Sequence, residues 1–213
     1  MKTQDLIRLL AADTLPVPRR AASRRLALSL LVGVPLAAAV LLLGYGVRPD
    51  LEVAVHWPIF WMKLLFPVVL CAAAFVVLQR LARPGVRVGI SWLGLAAPVL
   101  LLWGLAVTLL ETAPPELREA MVLGQTWRTC SLNIALISVP VFFAVFAALA
   151  GLAPTRLAWT GACAGAMAGG AGAAVYALHC PEMAAPFLAV WYLVGIMLPV
   201  AGGALLGPRL LRW

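Results

Sequence analysis

No C-x-x-C pair, no cysteine–histidine set at zinc-finger spacing, no H-E-x-x-H, no nucleophile elbow and no phosphate-cradling glycine loop occurs anywhere in the chain. Each absence removes a chemistry: structural zinc modules, closely spaced dithiol enzymes, zinc proteases, serine hydrolases and P-loop nucleotidases. Charge is scarce as well. Only 11% of the 213 residues are charged while 64% are hydrophobic, and the mean hydropathy is +1.01. A soluble core of this size cannot bury that much apolar surface, so the composition describes an all-α integral membrane protein. The formal charge of +8 comes without any basic run interleaved with aromatics, so direct nucleic-acid binding is not expected.

What is present is a series of six apolar stretches, at about 27–47, 62–79, 90–110, 132–150, 157–178 and 187–206. Each is close to the roughly 20 residues a helix needs to cross the hydrocarbon layer, which predicts six transmembrane helices. Prolines 35, 67, 98, 140 and 199 fall inside them, tolerable where neighbouring helices satisfy the freed backbone groups. Residues 26–213 form this membrane domain, and residues 1–25 precede it as a polar segment too long and mixed for a cleaved leader.

With the N terminus inside, twelve arginines and lysines gather on the cytoplasmic side and only Arg48, Lys63, Arg118 and Arg128 lie outside. That bias places both termini in the cytoplasm of a multi-pass protein of the bacterial inner membrane. Six of the eight acids fall on the outer face, three of them in a 111–119 stretch that reads as a solvated loop. Most tryptophans sit near span ends, and Trp103, at mid-span, reads as a packing residue.

Within the N-terminal segment, Thr3 is a candidate helix cap, Asp5 suits the positive helix end, and Leu6, Ile7, Leu9 and Leu10 cluster on one side of a short amphipathic helix that Pro16 and Pro18 end. So short a helix is marginal alone in water, so it should fold against a partner or against membrane lipid, where Arg19, Arg20, Arg24 and Arg25 would meet anionic headgroups. The fifth apolar run carries Gly161, Gly165, Gly169, Ala173 and Ala177 at four-residue spacing, a ridge for close helix contact within the bundle or in a homodimer.

No span carries a charge in its interior: Lys63 lies at an edge, and Asn133 and Ser138 are the polar groups of the fourth run. Ion and proton pathways need buried ionisable groups, so a pump or transporter is disfavoured. Both histidines and two of the four cysteines fall on the predicted outer face: His56, His179, Cys130 and Cys180. Three readings are open for the thiols: a reversible disulfide, a permanent disulfide tying two outer loops, and a soft-metal site with His179 and His56 as auxiliary ligands. No resident cofactor is expected beyond a transient soft metal ion. Cys71 and Cys163, inside spans, read as packing residues.

The combination of DLIRLLAAD, VRPDL, LARPG, WRTCSLNIALISVP, LAPTR, YALHCPEMAAPF and the terminal GPRLLRW resembles the NrsF-like family of six-span bacterial membrane proteins. WRTC-x-LNI and ALHCPE are the most specific parts, and the likeness runs through almost the whole chain. The resemblance implies an anti-sigma factor, not an enzyme, that sequesters an extracytoplasmic-function sigma factor and releases it under oxidative or heavy-metal stress. It implies further that Cys130 and Cys180 are the sensing pair. The N-terminal helix, with Leu6, Ile7, Leu9 and Leu10, is then the candidate sigma contact, an instance of helix-in-groove recognition. The alternative is a membrane thiol oxidoreductase or a metal-handling membrane protein using the same cysteines.

Overall fold

The computed structural model describes residues 3–12 and 20–212, and among them every regular element is helical. Helix α1 covers Thr3–Ala12, α2 Ala21–Gly44, α3 Leu51–Ala54 and α4 Pro58–Leu81. A 3₁₀ turn, Gly89–Trp92, leads into α5, Leu93–Thr112; α6 is Pro115–Leu123, α7 Trp127–Ala150 and α8 Leu157–Tyr176. The final rod begins as α9, Ala185–Phe187, widens into a π-turn at Leu188–Tyr192 and continues as α10, Leu193–Leu210.

Local chemistry sets several boundaries. Pro58 and Pro115 open α4 and α6, where a missing N–H costs nothing. Gly124 follows α6 at a φ of +55°, where a side chain would be strained. The acidic 111–119 stretch is therefore no loop: α5 runs to Thr112 and Pro115 starts a new helix, with Glu116 in its first turn next to the positive helix end.

Among the described residues, five helical segments are long and apolar enough to cross a membrane: Ala21–Gly44, Pro58–Leu81, Gly89–Thr112, Pro115–Ala150 and Ala185–Leu210. By length and composition the chain is a multi-pass membrane protein. Helix α8 is not among the five, because glycine and alanine dominate it and contribute little hydropathy. It is instead the axis of the bundle: fourteen of its twenty residues are buried. Helices α10, α4 and α7 pack around it, α2 lies on α7, and α5 stands at the edge beside α4. Only Ala106 of α5 is buried, and Trp103 is 44% exposed on its outer side, so it is not the packing residue the sequence suggests.

Small residues on α8 are what let three helices close on it. A Cβ on Gly161 would strike the Gly203 carbonyl oxygen of α10, and one on Gly165 the Pro199 carbonyl oxygen. On other sides a Cβ at Gly170 would come within 2.8 Å of the Pro67 carbonyl oxygen of α4, and one at Gly172 within 2.9 Å of Ser138 Cα of α7. The ridge expected as a candidate homodimer face is thus filled by α10 of the same chain, since backbone contact at this distance leaves no room for a second copy.

Helix α1 exists as expected with Asp5 in its first turn, but Thr3 is its first helical residue and not the cap before it. Leu6 and Ile7 are 43% and 60% exposed. The side chains of Leu9 and Leu10, and the expected stop at Pro16 and Pro18, lie outside the described residues.

Candidate functional site

At one end of the bundle α2 finishes, α4 and α7 begin, and the non-helical stretch after α8 crosses over all three. Four ties hold that stretch. The Arg48 backbone N–H donates to the Leu178 carbonyl at 3.1 Å, and His179 Nδ1 meets the Gly46 carbonyl at 2.9 Å. Lys63 Nζ, from the second turn of α4, donates to the carbonyls of Cys180 at 2.6 Å and Glu182 at 2.8 Å. The Glu182 carboxylate accepts from the backbone N–H groups of Gln125 at 2.7 Å and Thr126 at 3.2 Å, satisfying orphan donors at the start of α7.

This crossing brings Cys180 against Cys130, which sits in the first turn of α7. Both are fully buried and both are free thiols, close enough to hydrogen-bond to each other. Tyr176, Tyr192 and Lys63 complete the surroundings of the pair. Lys63 is 1% exposed, lies 5.5 Å from the centre of the Tyr192 ring, and among the described residues pairs with no carboxylate. The edge position read from the sequence is therefore wrong in kind: this lysine does not reach for water but turns inward to backbone oxygens. An ion placed so would cost several kcal/mol without those partners.

Burial would raise a thiol's pKa, yet that of Cys180 is lowered. The hydrogen bond from the Cys130 thiol is the largest cause, and attraction to the Lys63 ammonium and the Tyr192 hydroxyl add to it. Arg48 adds a donor to the Cys180 carbonyl at 3.4 Å, and its guanidinium grips both carboxylate oxygens of Asp50 at 2.6 Å. That fork holds the Asp50 pKa below the usual carboxylate range, and Asp50 in turn raises that of Arg48.

The sequence matches the model for NrsF, negative regulator of sigma F, over residues 10–213. The chain belongs to the NrsF family. It is 44% identical over 214 residues to the probable anti-sigma-F factor NrsF of Azospira oryzae, and 38% identical over 216 residues to the anti-sigma-F factor NrsF of Caulobacter vibrioides. Both alignments cover the whole of both chains. No solved structure matches. As a member of this family the chain has a regulatory rather than a catalytic role.

Of the expected site residues, Cys130 and Cys180 are brought together. His179 is half-buried next to them, but its Nδ1 is engaged by Gly46 and its ring packs edge-on to Tyr45 at 5.6 Å between centroids. His56 is exposed in the turn before α4. Among the described residues no three His, Cys, Asp or Glu side chains are grouped to hold a metal ion. Cys163 is buried in α8, and Cys71 lines an apolar groove between α2 and α4. Sequence reasoning missed Lys63, Tyr192, Arg48 and Glu182 as members of this site. A signal existed for the first: Lys63 is one of two lysines in the chain and stands in a helix that is otherwise apolar up to Gln79 and Arg80 in its last turn.

Proposed function

We propose that this chain is a membrane-bound anti-sigma factor of the bacterial inner membrane. It crosses the membrane six times with both termini cytoplasmic, α8 being the fifth span, sheathed by α4, α7 and α10. It holds an extracytoplasmic-function sigma factor against the exposed face of α1 and releases it on periplasmic oxidative or heavy-metal stress, when Cys130 and Cys180 are oxidised to a disulfide. The observation that carries the sensing half is the meeting of two buried, free thiols drawn from the start of α7 and the stretch after α8. Family membership carries the anti-sigma half.

The two halves are joined by geometry. Helix α2 starts a few residues after α1 and, at 24 residues and about 1.5 Å per residue, reaches roughly 36 Å to the thiol end, where Gly46 and Arg48 are tied to Leu178 and His179. Movement of the crossing stretch is therefore felt by the helix that carries the partner-binding segment. A signal passes only if the oxidised and reduced arrangements differ in affinity for the partner.

The test is affinity capture from native membranes, comparing the intact chain, a chain lacking residues 2–14, and Cys130→Ser/Cys180→Ser. A sigma factor should co-purify with the intact chain, vanish with the truncation, and stay bound to the double serine variant under oxidant or metal. Capture that survives the truncation overturns the α1 contact, and release from the double variant overturns the thiol switch.

A further inference from the structure

We infer that Lys63 and Tyr192 form an anion hole for the Cys180 sulfur, making Cys180 the attacking thiol of the pair and Cys130 the resolving one. This rests on the thiol-switch reading and assigns the chemistry inside it. Two buried donors face the Cys180 sulfur. An ammonium has three N–H donors, and Lys63 uses two of them on the carbonyls of Cys180 and Glu182. The Tyr192 hydroxyl, on a fully buried residue, has no hydrogen-bond partner among the described residues and lies next to Cys180. A thiolate at Cys180 accepts both. A thiolate at Cys130 would be met by the Tyr176 hydroxyl, while among the described residues no basic side chain donates to it.

The charged and titratable groups facing Cys180 come from every neighbouring element and agree in sign. Lys63 from α4 and Arg48 after α2 are cationic; Cys130 from α7, Tyr176 from α8 and Tyr192 from the π-turn are neutral donors. The acids are turned elsewhere: Asp50 is held by Arg48, and the Glu182 carboxylate is held by Gln125 and Thr126.

With hydrogen peroxide as oxidant the step balances. The Cys180 thiolate takes one peroxide oxygen as the O–O bond breaks, and the departing hydroxide takes a proton and leaves as water. Cys130 sulfur then attacks the Cys180 sulfenic acid; the S–S bond forms, the S–O bond breaks, and the hydroxide leaves as water with the Cys130 proton. The two thiols lose two electrons and the peroxide gains them.

The test is the pH profile of alkylation by iodoacetamide for the full chain in detergent, with each cysteine peptide quantified by mass spectrometry. The midpoint is the readout, because opening of the crossing stretch scales the whole curve without moving it. The midpoint for Cys180 should lie below that of an ordinary thiol, near 8.5, and rise by about one unit or more in Lys63→Gln, a roughly tenfold loss of thiolate at fixed pH. Lys63→Gln keeps an amide donor for the loop carbonyls while removing the charge; Lys63→Arg should restore the low midpoint, and Tyr192→Phe should raise it by less. A wild-type midpoint lower for Cys130 than for Cys180, or a Lys63→Gln profile superimposed on wild type, overturns the anion hole. The first result needs no variant to fold. Neither involves the sigma factor, so failure here leaves the switch itself to the release experiment above.

Discussion

The Lys63 ammonium donates to the Cys180 carbonyl at 2.6 Å, joining two residues 117 positions apart in the chain, and the same nitrogen reaches Glu182 at 2.8 Å. Through this one side chain the start of α4 is locked to the stretch that positions the reactive sulfur. A lysine so placed keeps the loop in register and sets the charge around the thiols together, which makes the surrounding residues open to separate tests.

Mild oxidation of the purified protein is expected to give one intramolecular disulfide, Cys130–Cys180, seen by peptide mapping under non-reducing conditions. Cys71 and Cys163 should remain free, since they lie in separate parts of the bundle from the pair. A map dominated by any other pairing would break the site described.

Glu182→Ala removes the acceptor of the Gln125 and Thr126 N–H groups at the start of α7. Loss of such a cap costs about 1 kcal/mol, towards 2 where the acceptor is ionised and partly buried. A lower melting temperature in detergent, with faster hydrogen exchange at 124–130, is the expected outcome.

Asp50 owes its depressed pKa first to the hydrogen bond from Arg48. A carboxyl whose folded pKa lies below its unfolded one stabilises the fold at pH above the unfolded value, near 4, and that contribution fades as pH falls through the folded value. Hydrogen exchange over 46–50 and 176–182 should therefore quicken below about pH 4. Asp50→Asn should show the faster exchange already at pH 7 and little further change with acid.

Gly165→Ile drives a branched side chain into the backbone of α10 at Pro199, whereas Gly104 has open space where its Cβ would lie. Overpacking costs about 1–3 kcal/mol, more where the obstacle is backbone, while Gly→Ala in an open helix position gains up to about 1 kcal/mol. Thermal melts should separate Gly165→Ile, strongly destabilised, from Gly104→Ala, neutral or stabilised.

Leu6→Asp/Ile7→Asp puts two charges on the exposed face of α1 without touching the bundle. Capture of the sigma factor should drop by about tenfold or more, the equivalent of about 1.4 kcal/mol, with membrane insertion unchanged by fractionation. Undiminished capture would remove this face as the contact.

Read alone, the sequence determined the class and the approximate ends of the apolar runs, and it singled out the two cysteines that the fold brings together. Length and hydropathy act locally, so they survive without tertiary information, and the WRTC and ALHCPE segments carry their own identity. It misread 111–119 as loop because Pro115, which starts α6, also looks like a breaker. It left the ridge of α8 open between two partners because a small-residue pattern says that a backbone comes close but not whose; only the packing of Gly161 and Gly165 on α10 decided it. Above all it placed Lys63 at a watery edge. A lone cation near a helix end can snorkel outward or turn inward, and the choice depends on whether backbone oxygens distant in sequence wait for it. Here the carbonyls of Cys180 and Glu182 do, and that is a fact of the tertiary structure.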